Sequence, residues 1–424
     1  MCARLRSFLA ISTSVSVVLF LILLAGCGGG TSNSSSSGST SITGGSSGSS
    51  GSSGTGSGSS GSSGSGGSGS SSGGSGNSSF VAYAYTASST AITGYAASSN
   101  GLLTPVPNSP LPASTDTYVV TNGANVYTAN SAGSTLNIYS RNTSNGSLTL
   151  ANSVNAIQGN PNPQDIVGSL ALDHTGTTLY VGEFDSSGDD GFGVFNVSQD
   201  SQATLVSYFG NSEQFGPPLV FSPNNHYAYT ANCYHLSWTI FGYMRGSDGA
   251  LTSVNTGAQP PPSNDPNTMW CPEATAVSAG GYLAVAYEAL GGQTAQYLVG
   301  TYHINSDGTL TYVAGSSVTT ASSDAQRNHI PIAINFDPTG TYLAVAGNGG
   351  VQTYAINSAG LLLPAAAPQN MGPDFQNAGW DKANHLFASS STELYVWNVS
   401  HGQLTLAGAS PYPGGTGLAV LPLQ

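Results

Sequence analysis

From residue 80 to the C-terminus, short runs of alternating apolar and polar residues are separated by turns rich in Gly, Asn, Asp, Ser and Thr. This period-2 pattern predicts β-strands. One motif recurs within it: an aromatic residue on an alternating run, a short polar turn, then Leu. The copies are Tyr95 with Gly101-Leu102, Tyr139 with Gly146-Ser147-Leu148, Phe195 with Ala203-Thr204-Leu205, Tyr243 with Gly249-Ala250-Leu251, Tyr302 with Gly308-Thr309-Leu310, Tyr354 with Gly360-Leu361, and Trp397 with Gly402-Gln403-Leu404. The seven aromatics lie 44, 56, 48, 59, 52 and 43 residues apart, a spacing that suits a four-stranded antiparallel sheet with loops of varying length.

Six copies are preceded by a hairpin of two alternating runs, such as Ser169–Leu172 and Leu179–Val181 around Asp173-His174-Thr175-Gly176. The first copy lacks its leading run, because the region opens directly at Phe80-Val81-Ala82-Tyr83-Ala84-Tyr85. A spare run, Gly417–Leu423, stands at the other end. The expected architecture is all-β: a seven-bladed β-propeller over 80–424, its ring closed by the C-terminal strand completing the N-terminal blade. Such closure leaves no open sheet edge for aggregation.

Residues 1–27 have a different character. Arg4 and Arg6 precede an apolar run from Phe8 to Leu24, followed by Leu24-Ala25-Gly26-Cys27. This is the order of a secretory signal, and its last four residues resemble the bacterial lipobox, which makes Cys27 the expected lipidated N-terminus. An uncleaved signal anchor and an ordinary cleaved signal are the alternatives, and all three place the remainder outside the cytoplasm. Residues 28–79 comprise 26 Ser and 19 Gly, with Ile42 as the single aliphatic side chain. Such a segment cannot offset its conformational entropy by burial, so a flexible tether is expected. Within it Gly69-Ser70-Ser71-Ser72-Gly73 satisfies the G-x-S-x-G hydrolase pattern by composition alone, without the strand and helix that a nucleophile elbow needs.

Charge narrows the partners. The chain has 6 Lys or Arg against 19 Asp or Glu, and two of the basic residues belong to the signal. A net charge of −13 cannot neutralise phosphates, so nucleic acid is excluded as a partner, and anionic ligands are repelled at long range. Membrane attachment then falls to the lipid anchor, with a small molecule or an envelope protein or glycan as the partner on the propeller rim, and a monomer is expected. There is no His-Glu-x-x-His, no Cys-x-x-Cys and no phosphate-binding Gly-rich loop before a helix, so neither metal nor cofactor is called for.

In an antiparallel blade the first strand begins on the rim where the second ends, so loops at those points converge around the central channel. The starts of first strands supply Asp165, Glu273, Arg327, His329 and Asp374; the ends of second strands supply Asn130, Glu183, Asp185, Asn232, His235, Glu288 and Asn348. Asp165, Glu183, Asp185, His235, Glu288 and Asn348 are the expected ligand-binding rim. Cys233 and Cys271 fall on this rim in neighbouring blades, where an exported setting favours a disulfide between them.

The repeated aromatic–turn–Leu copies, the Ser109-Pro110 and Ser410-Pro411 elements and Leu179-Tyr180-Val181 look like the lactonase-type seven-bladed propeller family, which includes 6-phosphogluconolactonases and YVTN-repeat surface proteins. The resemblance spans about residues 80 to 424 and implies lactone hydrolysis. It carries a Pro-Glu at the start of a middle blade onto Pro272-Glu273, and a His-Pro-Arg at the next onto Arg327-Asn328-His329-Ile330-Pro331, where Arg precedes His and one residue separates His from Pro. The family's Gly-Pro-Arg-His is here Gly216-Pro217-Pro218-Leu219. Lactone opening needs a base to activate water and a donor or cation at the carbonyl oxygen, roles that Glu273, His329 and Arg327 can fill. The first expectation is a cell-envelope lipoprotein that binds a ligand or partner on the rim; the alternative is a lactone hydrolase using those three residues. A surface spacer is a third possibility.

Other polar residues have plainer readings. His174 and His226 sit in or beside hairpin turns, Asp173 and Asp337 begin tight turns, and the repeated aromatics pack blades. Asp185, Asp189 and Asp190 lack calcium-loop spacing and read as a solvated loop.

Overall fold

In the computed structural model the alternating runs become strands, and no helix occurs among the described residues. Those residues are 80–423, without 114–115, 132, 163–164, 185–190, 211–217, 235–236, 264–267, 291–296, 321–329 and 370–372. The signal, Cys27 and the tether lie outside them, as do Asp185, His235, Arg327 and His329. Seven antiparallel sheets follow one another along the chain. Blade 1 contains Ala82–Ala87, Ala91–Ala97 and Leu103–Pro105, and its first strand is Gly417–Pro422 from the far end of the chain. The register runs from Ala82 opposite Pro422 to Ala87 opposite Gly417. Blades 2 to 7 begin with Asp116–Thr121, Ile166–Leu172, Val220–Phe221, Met269–Val277, Pro331–Phe336 and Asn377–Trp380. The ring closes as the pattern predicted.

Blades stack face to face, so both faces of their middle strands are buried. Seven apolar clusters result, one at each interface between neighbours. The second strand of blade 5, Tyr282–Leu290, shows the division of labour. Leu283, Val285 and Tyr287 pack on blade 4, whereas Ala284 and Ala286 pack on blade 6. Small side chains on one face let the next sheet approach, and large ones on the other fill the gap. The seven repeated aromatics are all buried in third strands, which bears out their reading as blade packing.

The turn glycines are joints between blades. Tyr85 Oη donates to Gly146 O at 2.8 Å, Tyr180 Oη to Gly249 O at 2.7 Å and Tyr229 Oη to Gly308 O at 3.0 Å, each crossing to the next blade. Thr301 and Thr353 make the equivalent bonds to Gly360 O and Gly402 O. The five glycines have φ between 75° and 89°, the left-handed region. They also leave no room for a side chain: a Cβ on Gly146 would lie 2.3 Å from the Tyr83 ring, and one on Gly308 would lie 2.5 Å from the Tyr227 ring. The third copy lacks the glycine, and there Ser201 takes φ 60° while its Oγ donates to Asn125 Oδ1 at 2.7 Å. Two copies shift by one residue from the sequence reading. The buried leucines are Leu103 and Leu362, while Leu102 is 39% exposed.

Joint and turn can be separated by mutation. Gly281 has φ 80°, and a Cβ there would meet nothing within 4 Å, so Gly281→Ala carries backbone strain alone, about 1 kcal/mol. Gly308→Ala adds the collision with Tyr227 and is expected to cost about 2–4 kcal/mol in urea unfolding. Tyr229→Phe, which removes only the hydroxyl, should cost about 1 kcal/mol.

Candidate functional site

The two rims use their polar groups differently. On the lower rim, where first strands end, polar side chains are consumed by the turns. Asp337 Oδ1 accepts the Thr341 and Tyr342 N–H groups at 2.7 Å each, Ser222 Oγ accepts Tyr227 N at 2.9 Å, and Ser278 Oγ accepts Tyr282 N at 3.1 Å. Asp381 accepts His385 N at 2.8 Å and contacts His385 Nδ1 at 2.6 Å. Asp173 accepts Thr178 N at 3.0 Å and also pairs across the blade interface with Arg245 Nη2 at 2.8 Å. Burial raises the Asp173 pKa, but bonds from Thr175, Thr178 and Asn225 and the Arg245 charge outweigh it and hold the carboxyl below its ordinary range. Asp173 and Asp337 are thus turn residues, and His174 and His226 are exposed, as read from sequence. The Arg245 pairing, formed between residues 72 apart, carried no local signal.

On the upper rim, where first strands begin, two predicted residues come together. Glu183 ends the second strand of blade 3 and Asp165 stands just before its first; both are buried. Asn160, in the connection from blade 2, bridges them, its Nδ2 donating to Asp165 Oδ2 at 2.5 Å and to Glu183 Oε2 at 2.6 Å. Its own Oδ1 accepts Asn162 N at 2.7 Å, which fixes the amide's orientation. A Cβ on Gly193 would lie 2.9 Å from Glu183 Oε1, so this third-strand glycine makes room for the carboxyl. Burial pushes the Glu183 pKa up to about 8; the Asn160 bond opposes this and the Asp165 charge adds to it. Glu183 is therefore a protonated acid at neutral pH. Asn160 was missed because an Asn in a Pro-rich connection reads as a turn former.

Blades 5 and 6 carry the other predicted residues. Glu273 occupies a β-bulge in the first strand of blade 5, between Pro272 and Ala274, and is partly exposed. Bulges recur near the same point in blade 2 at Thr117, blade 3 at Gly168 and blade 6 at Ile332. A bulge re-aims a side chain out of the pleat. Glu288, buried at the end of the second strand, accepts Tyr297 Oη at 3.2 Å. Cys271 is disulfide-bonded, and the strand carrying Cys233 packs against that of Cys271. Asn348 Oδ1 accepts Ile330 N at 2.7 Å, so that atom serves the backbone of its own blade. Asp374 and Asn130 are each engaged with other groups. Among the described residues no cluster of three His, Cys, Asp or Glu could hold a metal.

Buried polar atoms without a protein partner gather on the same rim. Thr86 Oγ1, Thr117 Oγ1, Glu183 Oε1, Asn232 Nδ2, Trp270 Nε1 and Thr416 Oγ1 all lie at upper-rim strand ends. Thr275 Oγ1 and Trp397 Nε1 lie within strands, and the described lower-rim turns hold none. Unpaired buried groups are costly, and ligand or ordered water is their usual partner.

A ring of seven antiparallel sheets of this kind is a seven-bladed β-propeller. The sequence profile of the family described as Lactonase, 7-bladed beta-propeller matches residues 76–372, and the chain belongs to that family. Among solved structures it is similar to the periplasmic gluconolactonase of Pseudomonas aeruginosa, at 15% identity and a TM-score of 0.61, covering 81% of this chain and 100% of that one. A putative 6-phosphogluconolactonase from Bacteroides uniformis is similar at 18% identity and a TM-score of 0.60, covering 81% and 99%. One from Bacteroides fragilis is similar at 15% identity and 0.60, with the same coverage. At these identities the likeness concerns the fold alone. A search of curated protein sequences finds no match.

The Glu183 carboxyl has a pH signature. In the unfolded chain it ionises near its ordinary 4.5, whereas in the fold it keeps its proton to about 8. Between those values the native state binds the extra proton, so this group makes stability fall as pH rises, with no further loss above about 8. Glu183→Gln should flatten that slope, and its urea midpoint should gain on the parent's between about pH 5 and about pH 8.5. Equal slopes in the two proteins would show that Glu183 is ionised in the fold.

Proposed function

We propose that the chain is an exported, lipid-anchored propeller that binds an uncharged sugar lactone on its upper rim and hydrolyses it. The observation that carries this reading is the set of buried, unpartnered donors and acceptors on that rim, opposite a rim whose turns consume their own polar groups. Family membership and the gluconolactonase named among its structural neighbours support a lactone as the ligand. The excess of 19 acidic over 6 basic residues disfavours a phosphorylated one.

Glu273, re-aimed by its bulge, is the base that takes a proton from water. The resulting hydroxide attacks the lactone carbonyl carbon, and Arg327 and His329 stabilise the charge on the carbonyl oxygen. The ring C–O bond then breaks, and the proton held by Glu273 passes to the departing alkoxide. Binding without hydrolysis is a second reading, favoured by Leu219: it stands where the family pattern ends in a functional side chain, and it is buried in the apolar cluster between blades 3 and 4.

Glucono-δ-lactone and its 6-phosphate, offered to the full chain, test both readings. Hydrolysis of the neutral lactone at the higher kcat/KM is expected, falling by about 10²-fold or more in Glu273→Gln and in His329→Ala. Calorimetric binding without turnover would leave the second reading standing, and neither binding nor turnover would remove both.

A further inference from the structure

The Asp165 and Glu183 carboxyls are buried beside each other, and one oxygen of each is held by the same nitrogen, Asn160 Nδ2. The described Lys and Arg residues, Arg141, Arg245 and Lys382, all stand on the lower rim, so none of them neutralises this pair. Glu183 has no exposed surface, and its second oxygen, Oε1, has no hydrogen-bond partner. That oxygen borders a recess left by the missing side chain of Gly193. A Cβ there would lie 2.9 Å from Glu183 Oε1, 3.4 Å from the carbonyl oxygen of Ala156 and 2.9 Å from the edge of the Phe195 ring. Ala156 follows the outer strand of blade 2, whereas Asp165, Glu183 and Gly193 belong to blade 3. Two carboxyls and a backbone carbonyl, buried together, are the oxygen donors that a hard cation takes.

We infer that Asp165, Glu183 and the Ala156 carbonyl form a calcium site between blades 2 and 3, with Asn160 as the residue that positions both carboxyls. The charges match, since two carboxylates balance one divalent cation. Magnesium fits less well, because it gives up its water shell reluctantly and these donors are buried. Asn160 holds one oxygen of each carboxyl and leaves Glu183 Oε1 for the ion, the arrangement in which ligating carboxylates are themselves hydrogen-bonded. Calcium takes the place of the proton that burial otherwise keeps on Glu183, and that proton leaves to water. The ion adds a tie on the upper rim at the interface where the lower-rim joint has Ser201 in place of a glycine.

Calcium chloride titrated into the full chain, first stripped of metals with a chelator, tests the site by calorimetry and by thermal unfolding. A dissociation constant of about 10⁻⁴ M is expected, and calcium about tenfold above it should raise the melting temperature by about 2 °C. Magnesium should bind at least about tenfold more weakly. Glu183→Gln has the shape of the protonated acid and so keeps the fold, yet it cannot supply a charged ligand. It should weaken calcium binding by about tenfold or more, and so should Asp165→Asn. No binding to the parent would overturn the site. Equal affinity in the parent and both variants would place the ion elsewhere on the chain and overturn it as well, and an equal response to magnesium would overturn calcium as the ion. None of these outcomes depends on lactone turnover.

Discussion

The ring depends on one repeated contact: a hydroxyl of one blade donating to the carbonyl of a left-handed turn glycine in the next, with an aromatic or threonine side chain packed where that glycine has no Cβ. A single sheet of this kind is apolar on both faces and cannot stand alone in water. Stacking covers both faces, but stacking by area is non-directional and allows neighbouring sheets to slide. The hydroxyl bond supplies direction, and the glycine sets how close the blades come. Made at five of the interfaces, the contact ties the position of one blade to that of the next. Gly417–Pro422 then pairs with the otherwise unpaired side of Ala82–Ala87 and completes blade 1.

This division of labour shapes the rims. Hairpins on the lower rim are short, and each needs its backbone N–H groups satisfied close to the core, which Asp and Ser side chains do locally. Upper-rim connections run from the outer strand of one blade to the first strand of the next, and they are long. The buried atoms without a protein partner on that rim, Thr117 Oγ1 and Asn232 Nδ2 among them, belong to strand ends and not to those connections. The Asp165–Asn160–Glu183 cluster shows the energetic cost of burying carboxyls there: burial, against the bond from Asn160, keeps a proton on Glu183 to about 8.

Legibility followed the range of the interaction. The aromatics at Tyr95, Tyr139 and their counterparts, the hairpin turns at Asp173 and Asp337, and the closing strand were readable because period, turn chemistry and repeat length are local properties of the chain. So was the gathering of Asp165 and Glu183 on one rim, which follows from antiparallel topology once the strands are assigned. Asn160 and Arg245 were not readable, because their partners are chosen by how blades 2, 3 and 4 meet. The turn glycines were recognised for their spacing alone, and their tight approach to Tyr83 or Tyr227 is a property of two blades together.

Alternation, repeat and the displaced terminal run by themselves determined an all-β ring of seven sheets and the strand ends at which chemistry would gather, since backbone geometry converts those patterns into topology without knowledge of distant contacts. Tertiary structure alone decided which polar groups found partners. Asn348 was read from its position as a rim ligand, yet its oxygen holds Ile330, while the Asn232 amide nitrogen, at the matching place two blades earlier, has no protein partner. The physical reason is that a hydrogen bond is settled within fractions of an ångström by where distant strands set donor and acceptor, which no local pattern along the chain records.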